Sequence, residues 1–188
     1  GLVDYGYAYR WDGATNAANG GTPNSQSQLN GGQSLGNRIG FKGTEDLGNG
    51  LKAVFLLEQG FMLDTGMQQT ANSQFTRQAY MGLSGNFGTV VGGRLYTPHY
   101  TFVSGLDPFG AGTVGRYNNV YSNFPTLGNT GNVGDPVRVD NAVAYISPSF
   151  LGGLTATLAY SNNAAGQEEA SSTSANNTVY AGLLKYDN

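Results

Sequence analysis

The chain has 188 residues and a formal net charge of −3; 39% are hydrophobic, 12% aromatic and only 11% charged, with 30 glycines and no cysteine. Charged residues normally supply about a quarter of a soluble domain, yet no stretch approaches the roughly 18 apolar residues of a membrane helix, and runs such as Ala53–Leu57 are far shorter. A helical membrane protein and a disulfide scaffold are excluded, general nucleic-acid binding lacks its basic face, and 12 Tyr and 9 Phe contradict disorder. What remains is an all-β chain.

The first segment opens inside an alternating pattern, without a signal peptide, and reads as a mature or truncated start. Val3, Tyr5, Tyr7, Tyr9 and Trp11 share one face, with Asp4, Gly6, Ala8 and Arg10 between them. Alternation returns in Gln33–Gly43, where Leu35, Ile39 and Phe41 oppose Arg38, Gly40 and Lys42. Thr44–Gly50 reads as a compact turn, with Glu45-Asp46 a solvated pair within it. Leu51–Gly60 then places Leu51, Ala53, Phe55 and Leu57 opposite Lys52, Val54, Leu56 and Glu58. Further strands are expected at Phe75–Gly85, Thr89–Tyr96, Val137–Ile146, Leu154–Ser161 and Thr178–Tyr186. These make about eight strands of the ~10 residues that a tilted membrane strand requires.

Connections alternate between short and long. Thr44–Gly50, Gly85–Gly88 and Ser147–Gly153 are short; Asp12–Gly32, Met62–Gln74, Thr97–Pro136 and Asn162–Asn177 are long and polar. One rim of short turns and one of long loops is the layout of an outer-membrane barrel. The competing all-β reading is a soluble sandwich, an adhesin or lectin-like surface protein, whose apolar faces would pack together.

Several stretches carry a family resemblance. Gly36-Asn37-Arg38-Ile39-Gly40-Phe41-Lys42-Gly43-Thr44-Glu45-Asp46-Leu47-Gly48-Asn49-Gly50-Leu51-Lys52-Ala53 resembles the second strand, turn and third strand of Gram-negative general porins. Phe75–Gly85 with Phe87–Arg94 resembles the next hairpin. Leu106-Asp107-Pro108-Phe109-Gly110 is similar to the constriction-loop motif, and Asn141–Pro148 to the sixth strand and turn. The subtype is that of beta-proteobacteria. The resemblance implies a transmembrane antiparallel β-barrel of 16 strands, a homotrimer embedded among outer-membrane lipid and lipopolysaccharide, with small hydrophilic solutes and anions as its cargo. It makes residues 1–188 one barrel domain, about half of such a protein and its N-terminal half, and residues 97–136 a loop folded into the lumen.

The lumen-facing register gives Arg38, and the resemblance matches Arg38, Arg77 and Arg138 to the family's basic cluster on the barrel wall. Glu58 shares the inward parity of Lys52 and can bridge guanidinium groups. Asp107 is expected as the acid of the inserted loop, beside Pro108, Phe109 and Gly110. A cationic wall facing an acidic loop gives a transverse field, with weak preference for anions. Within the loop, Tyr96, Tyr100, Phe102 and Phe109 are expected to pin it to the wall, while Gly110, Gly112 and Gly115 permit bends. Arg116 faces either the pore or a neighbouring subunit. Arg77 shares parity with Met81 and Leu83, an inconsistency that a bulge would resolve.

Outward residues are expected to meet lipid or a neighbouring subunit: Phe55, Leu57, Val143, Leu158 and Leu184 as an apolar band, with Tyr5, Tyr7, Tyr145, Tyr160 and Tyr186 as girdle rings. No catalytic constellation, metal site or cofactor is expected. His99 is the one histidine, so a multi-histidine metal site is impossible and a Ser-His-Asp arrangement would have to use it with Ser104 and Asp107. The expected activity is a general diffusion channel, with a substrate-specific channel, in which loop aromatics form a binding track, as the other channel reading.

Overall fold

The computed structural model describes residues 1–10, 25–112, 137–164 and 178–187. Expectations resting on Trp11, Gly115, Arg116 and the remainder of the loops 12–32, 97–136 and 162–177 fall outside these residues. The elements are β1 (Tyr5–Arg10), β2 (Gln26–Gly31), β3 (Arg38–Gly48), β4 (Leu51–Gly60), β5 (Gln78–Gly85), β6 (Gly88–Tyr96), α1 (Pro98–Leu106), β7 (Arg138–Ile146), β8 (Leu154–Ser161) and β9 (Val179–Tyr186). Strands β3 to β9 form one antiparallel sheet in chain order, and β1 and β2 form a hairpin. The hairpin joins the sheet through Leu2 and Arg38, whose backbones exchange hydrogen bonds of 2.8 and 2.9 Å.

The registers set two chemically different faces. On one, Phe55, Met81, Gly92, Val143, Tyr160 and Tyr180 run side by side across six strands. These side chains have no cover: Met81 is 71% exposed and Tyr180 79%. Phe55, Val143, Leu158, Leu184, Tyr5, Tyr7, Tyr160 and Tyr186 are all exposed as well. On the other face the neighbouring row is Thr44, Val54, Gly82, Val91, Ala144, Ala159 and Ala181. The buried apolar cluster is Val91, Leu95, Val139, Ala142 and Ala144, of which Val91 and Ala144 belong to this row.

Four sequence expectations need correction. Thr44–Gly48 is not a turn but the end of β3, so Glu45 and Asp46 pair with Ala53 and Lys52, and Asn49-Gly50 alone reverses the chain, both at positive φ. The expected strand Gln33–Gly43 begins only at Arg38, while β2 lies inside the expected loop Asp12–Gly32. The intervening segment is held by Asp4, whose carboxylate accepts the Ser34 and Leu35 N–H groups at 2.7 Å each. The expected strand Phe75–Gly85 starts at Gln78. Finally, the long connection after β6 opens with a helix. Thr97 caps it, its hydroxyl accepting the Tyr100 N–H at 3.1 Å, and Pro98 occupies the first turn where its missing donor costs nothing. Nine strands are therefore present among the described residues, in keeping with the expected count of about eight.

Besides the register shift between Asp46 and Gly48 in β3, two irregularities shape the sheet. In β7, Asp140 and Asn141 together oppose Arg94, and Asn141 takes φ 50°. At the start of β5, Gln78 is the register partner of Glu58 while the Arg77 N–H also bonds the Glu58 carbonyl at 3.1 Å. Two residues against one is the arrangement of a bulge. Strand parity therefore stops at Gln78 and does not govern Arg77, which removes the inconsistency with Met81 and Leu83.

Candidate functional site

A cavity of about 970 Å³ lies on the small-residue face of the sheet, and its lining includes Arg38, Glu58, Arg77, Gln78, Tyr96 and Arg138. Five elements or their flanks supply these groups. Arg38 opens β3 and Glu58 lies near the end of β4, with Gly40 as its register partner. A Cβ at Gly40 would collide with the Leu57 carbonyl oxygen at 2.6 Å and crowd the Glu58 Cα at 3.1 Å, so glycine lets the two strands approach there. Arg77 is placed by the bulge, and the preceding Thr76 is buried, its hydroxyl accepting the Gly60 N–H at 3.1 Å. Tyr96 and Arg138 are partners across β6 and β7.

Contacts link these groups into one network. Glu58 Oε1 is 2.7 Å from Arg77 Nε, and Oε2 is 3.5 Å from Arg38 Nε. The Tyr96 hydroxyl oxygen accepts from Arg77 Nη2 at 2.7 Å and from Arg138 Nη2 at 3.0 Å. The Arg138 guanidinium also stands 4.8 Å over the Tyr96 ring, favourable for a cation against a π face. Tyr100 of α1 packs on Tyr96, ring centroids 4.8 Å apart. Burial pushes the Tyr100 phenol up from its ordinary value, so it remains a neutral hydroxyl. Arg138 Nε is buried without a hydrogen-bond partner.

The charge balance of the described lining follows from three guanidiniums against one carboxylate, a net +2. Guanidiniums stay charged beside one another where a lysine would lose its proton. Glu58 and Tyr96 divide the three cations between them, one by charge and one by acceptor and ring. Tyr96 was expected only to pin the loop; its position as acceptor for two arginines is not signalled by composition or spacing.

The described start of the connecting loop, residues 97–112, borders the same cavity. Tyr100, Thr101, Ser104 and Gly105 of α1 line the cavity, as do Gly110 and Ala111, and α1 reaches β8 and β9. Asp107 is not among the described residues that line the cavity. Its carboxylate accepts the Phe109 N–H at 2.9 Å and the Ala111 N–H at 3.0 Å, closing a turn in which Pro108 and Phe109 are exposed. Gly112 is buried against Ser34, where any Cβ would collide with the Ser34 carbonyl oxygen. His99 lies in the first turn of α1, and Ser104 Oγ donates to the Thr101 carbonyl at 3.3 Å. Among the described residues no cluster of three His, Cys, Asp or Glu side chains has metal-binding geometry.

This antiparallel sheet has known counterparts. The model of a family described as Gram-negative porin matches residues 1–188. The chain belongs to that family. An outer membrane porin of Bordetella pertussis is 40% identical over 118 residues, 62% of this chain and 28% of the relative. Outer membrane porin protein 32 of Delftia acidovorans is 37% identical over 123 residues, 65% of this chain and 33% of that one. Among solved structures, the anion-selective porin from Comamonas acidovorans superposes with a TM-score of 0.76 at 31% identity, covering 99% of this chain and 52% of that porin. Salmonella typhi OmpF shares the fold, with a TM-score of 0.58 at 20% identity and similar coverage, 98% and 48%. The chain thus spans about half the length of these solved porins.

The sheet is accordingly part of a transmembrane β-barrel of the outer membrane, which sets the sandwich reading aside. The bare aromatic and aliphatic face is the one such a barrel turns outward. Porins are channels, not enzymes.

Proposed function

We propose that the whole protein is a general diffusion porin, passing small hydrophilic solutes and ions through a water-filled pore with weak preference for anions. The observation that carries this reading is the network of Arg38, Arg77 and Arg138 with Glu58 and Tyr96 on the face opposite the apolar one. In a barrel that face borders the lumen. The net +2 of its described residues attracts anions, and low-dielectric walls focus the field. Water-lined guanidiniums bind an anion weakly enough to release it, as conduction requires.

Residues 97–136 form the pore-constricting loop in this reading. Helix α1 fixes its first part over the arginines, the Asp107 turn with Pro108, Phe109 and Gly110 shapes its tip, and Gly112 seats against Ser34. Glu58 supplies the acidic counterweight close to the cluster, with Asp107 acting through the loop's shape. The assembly is a homotrimer whose outward faces meet lipid, lipopolysaccharide or neighbouring copies, and no cofactor or metal takes part.

Liposome swelling with a graded series of uncharged sugars tests the reading. Rates that fall smoothly with solute size, without saturation, support a general channel. Saturable uptake of one sugar overturns it in favour of a substrate-specific channel, and no swelling above protein-free liposomes overturns both.

A further inference from the structure

We propose that the pore wall beside the arginine cluster carries a second station, which binds small organic anions with an apolar body, of the aromatic carboxylate class. The inference rests on the porin reading and deepens it. A separate cavity of about 550 Å³ is lined by residues that include Lys42, Thr44, Val54, Leu56, Tyr80 and Val91. Its size falls within the range of small-molecule sites, roughly 300–1,000 Å³. Lys42, Leu56 and Tyr80 are consecutive register partners, as are Thr44 and Val54 in the adjacent row.

Strand parity puts this shelf on the cluster face. Lys42 and Thr44 lie four and six residues beyond Arg38 on β3, and Leu56 and Val54 lie two and four before Glu58 on β4. At about 3.4 Å per residue, Lys42 stands roughly 13–14 Å from Arg38 along the strand, toward the short turns. A pore wall is normally polar, yet Val54, Leu56 and Val91 stand together here. Val54, Leu56 and Tyr80 are only partly buried, and Ile146 in the same lining is exposed. Among the described residues no carboxylate lines the cavity, and the one formal charge is the Lys42 ammonium.

Charge and surface together select the occupant. An anion released by the arginines passes the row of Gly40, Glu58 and Gln78 and meets Lys42 as the next cation, where the surrounding wall is apolar. Chloride or acetate gains little from that wall. An aromatic carboxylate gains more, because its ring removes Leu56, Val54 and the Tyr80 ring from water while its charge faces Lys42. Thr44 and the Tyr80 hydroxyl can donate to the carboxylate.

Single-channel conductance of the purified porin in planar bilayers, in chloride, acetate and benzoate salts, tests this. Benzoate conductance is expected to saturate at a concentration at least about tenfold below any saturation by acetate. Leu56→Gln, and independently Val54→Thr, should raise the benzoate half-saturation concentration about fivefold, the factor for one or two methylenes of apolar contact. Lys42→Gln should do the same, and all three should keep chloride conductance within about a factor of two. Benzoate and acetate tracking each other would overturn the proposal, the result expected if another part of the chain covers the shelf. So would variants that shift chloride and benzoate equally. The porin reading fails separately, if chloride itself gives no channels.

Discussion

Arg138 uses Tyr96 twice: it donates to the phenol oxygen at 3.0 Å and lies 4.8 Å over the ring. The same oxygen accepts from Arg77 at 2.7 Å, so one uncharged side chain holds two cations in fixed positions without cancelling either charge. Glu58 does the complementary task for Arg77 and Arg38, at the expense of one charge.

Replacing Tyr96 by Phe keeps the ring under Arg138 and removes the shared acceptor. The arginines should then fluctuate, since each lost hydrogen bond to a charged group is worth about 1.5–3 kcal/mol. Single-channel recordings should show greater open-state current noise, while the sign of ion selectivity stays unchanged. Noise at the wild-type level would mean that Tyr96 does not position the cluster.

Glu58→Gln leaves Arg38 and Arg77 without their carboxylate and raises the net charge of the described lining from +2 to +3. The anion-to-cation permeability ratio should rise roughly two- to threefold, a change in wall potential of under 1 kcal/mol per ion. Barrel stability should fall by about 1–3 kcal/mol, because Arg77 is buried and loses its closest partner. The readouts are the zero-current potential and the temperature at which the folded barrel loses its heat-modifiable gel mobility.

Gly112→Val tests how the loop is seated. Any side chain at this position meets the Ser34 carbonyl oxygen, so the loop tip must lift from the 32–36 segment. Conductance and the largest sugar admitted in liposome swelling should both increase. Unchanged values would show that this contact does not set the bore.

Met81→Lys tests the outward face. Met81 is 71% exposed between Phe55 and Gly92 in the row of apolar partners. A charge at the mid-depth of the lipid face costs about 2–4 kcal/mol. Assembly into heat-modifiable barrels should drop, whereas Lys42→Gln on the other face should assemble normally.

How much the sequence discloses follows from where alternation is enforced. Strands β4 and β6 to β9 are legible because their two faces meet different media, so period two runs uninterrupted through Leu51–Gly60 or Leu154–Ser161. Arg38 and Glu58 are legible for the same reason. Arg77 is not, because the bulge opposite Glu58 breaks parity one residue before β5 begins. Strand β2, Gln-Ser-Gln-Leu-Asn-Gly, has too few apolar residues to signal itself; it is held by its ladder to β1, including the Tyr7 to Ser27 hydroxyl contact at 2.8 Å. Helix α1 is short, but Thr97-Pro98 is a helix-start signal that alternation elsewhere obscures. Asp107 heads Asp-Pro-Phe-Gly, turn chemistry that engages its carboxylate with the Phe109 and Ala111 N–H groups.

The central claim is that the arginine network makes the pore wall net positive. The zero-current potential of the reconstituted wild-type protein across a tenfold KCl gradient at pH 7 tests it most directly. The account predicts the sign of anion preference, diminishing when Arg38 or Arg138 is replaced by Gln. A potential of the opposite sign, or one indifferent to both substitutions, would contradict it.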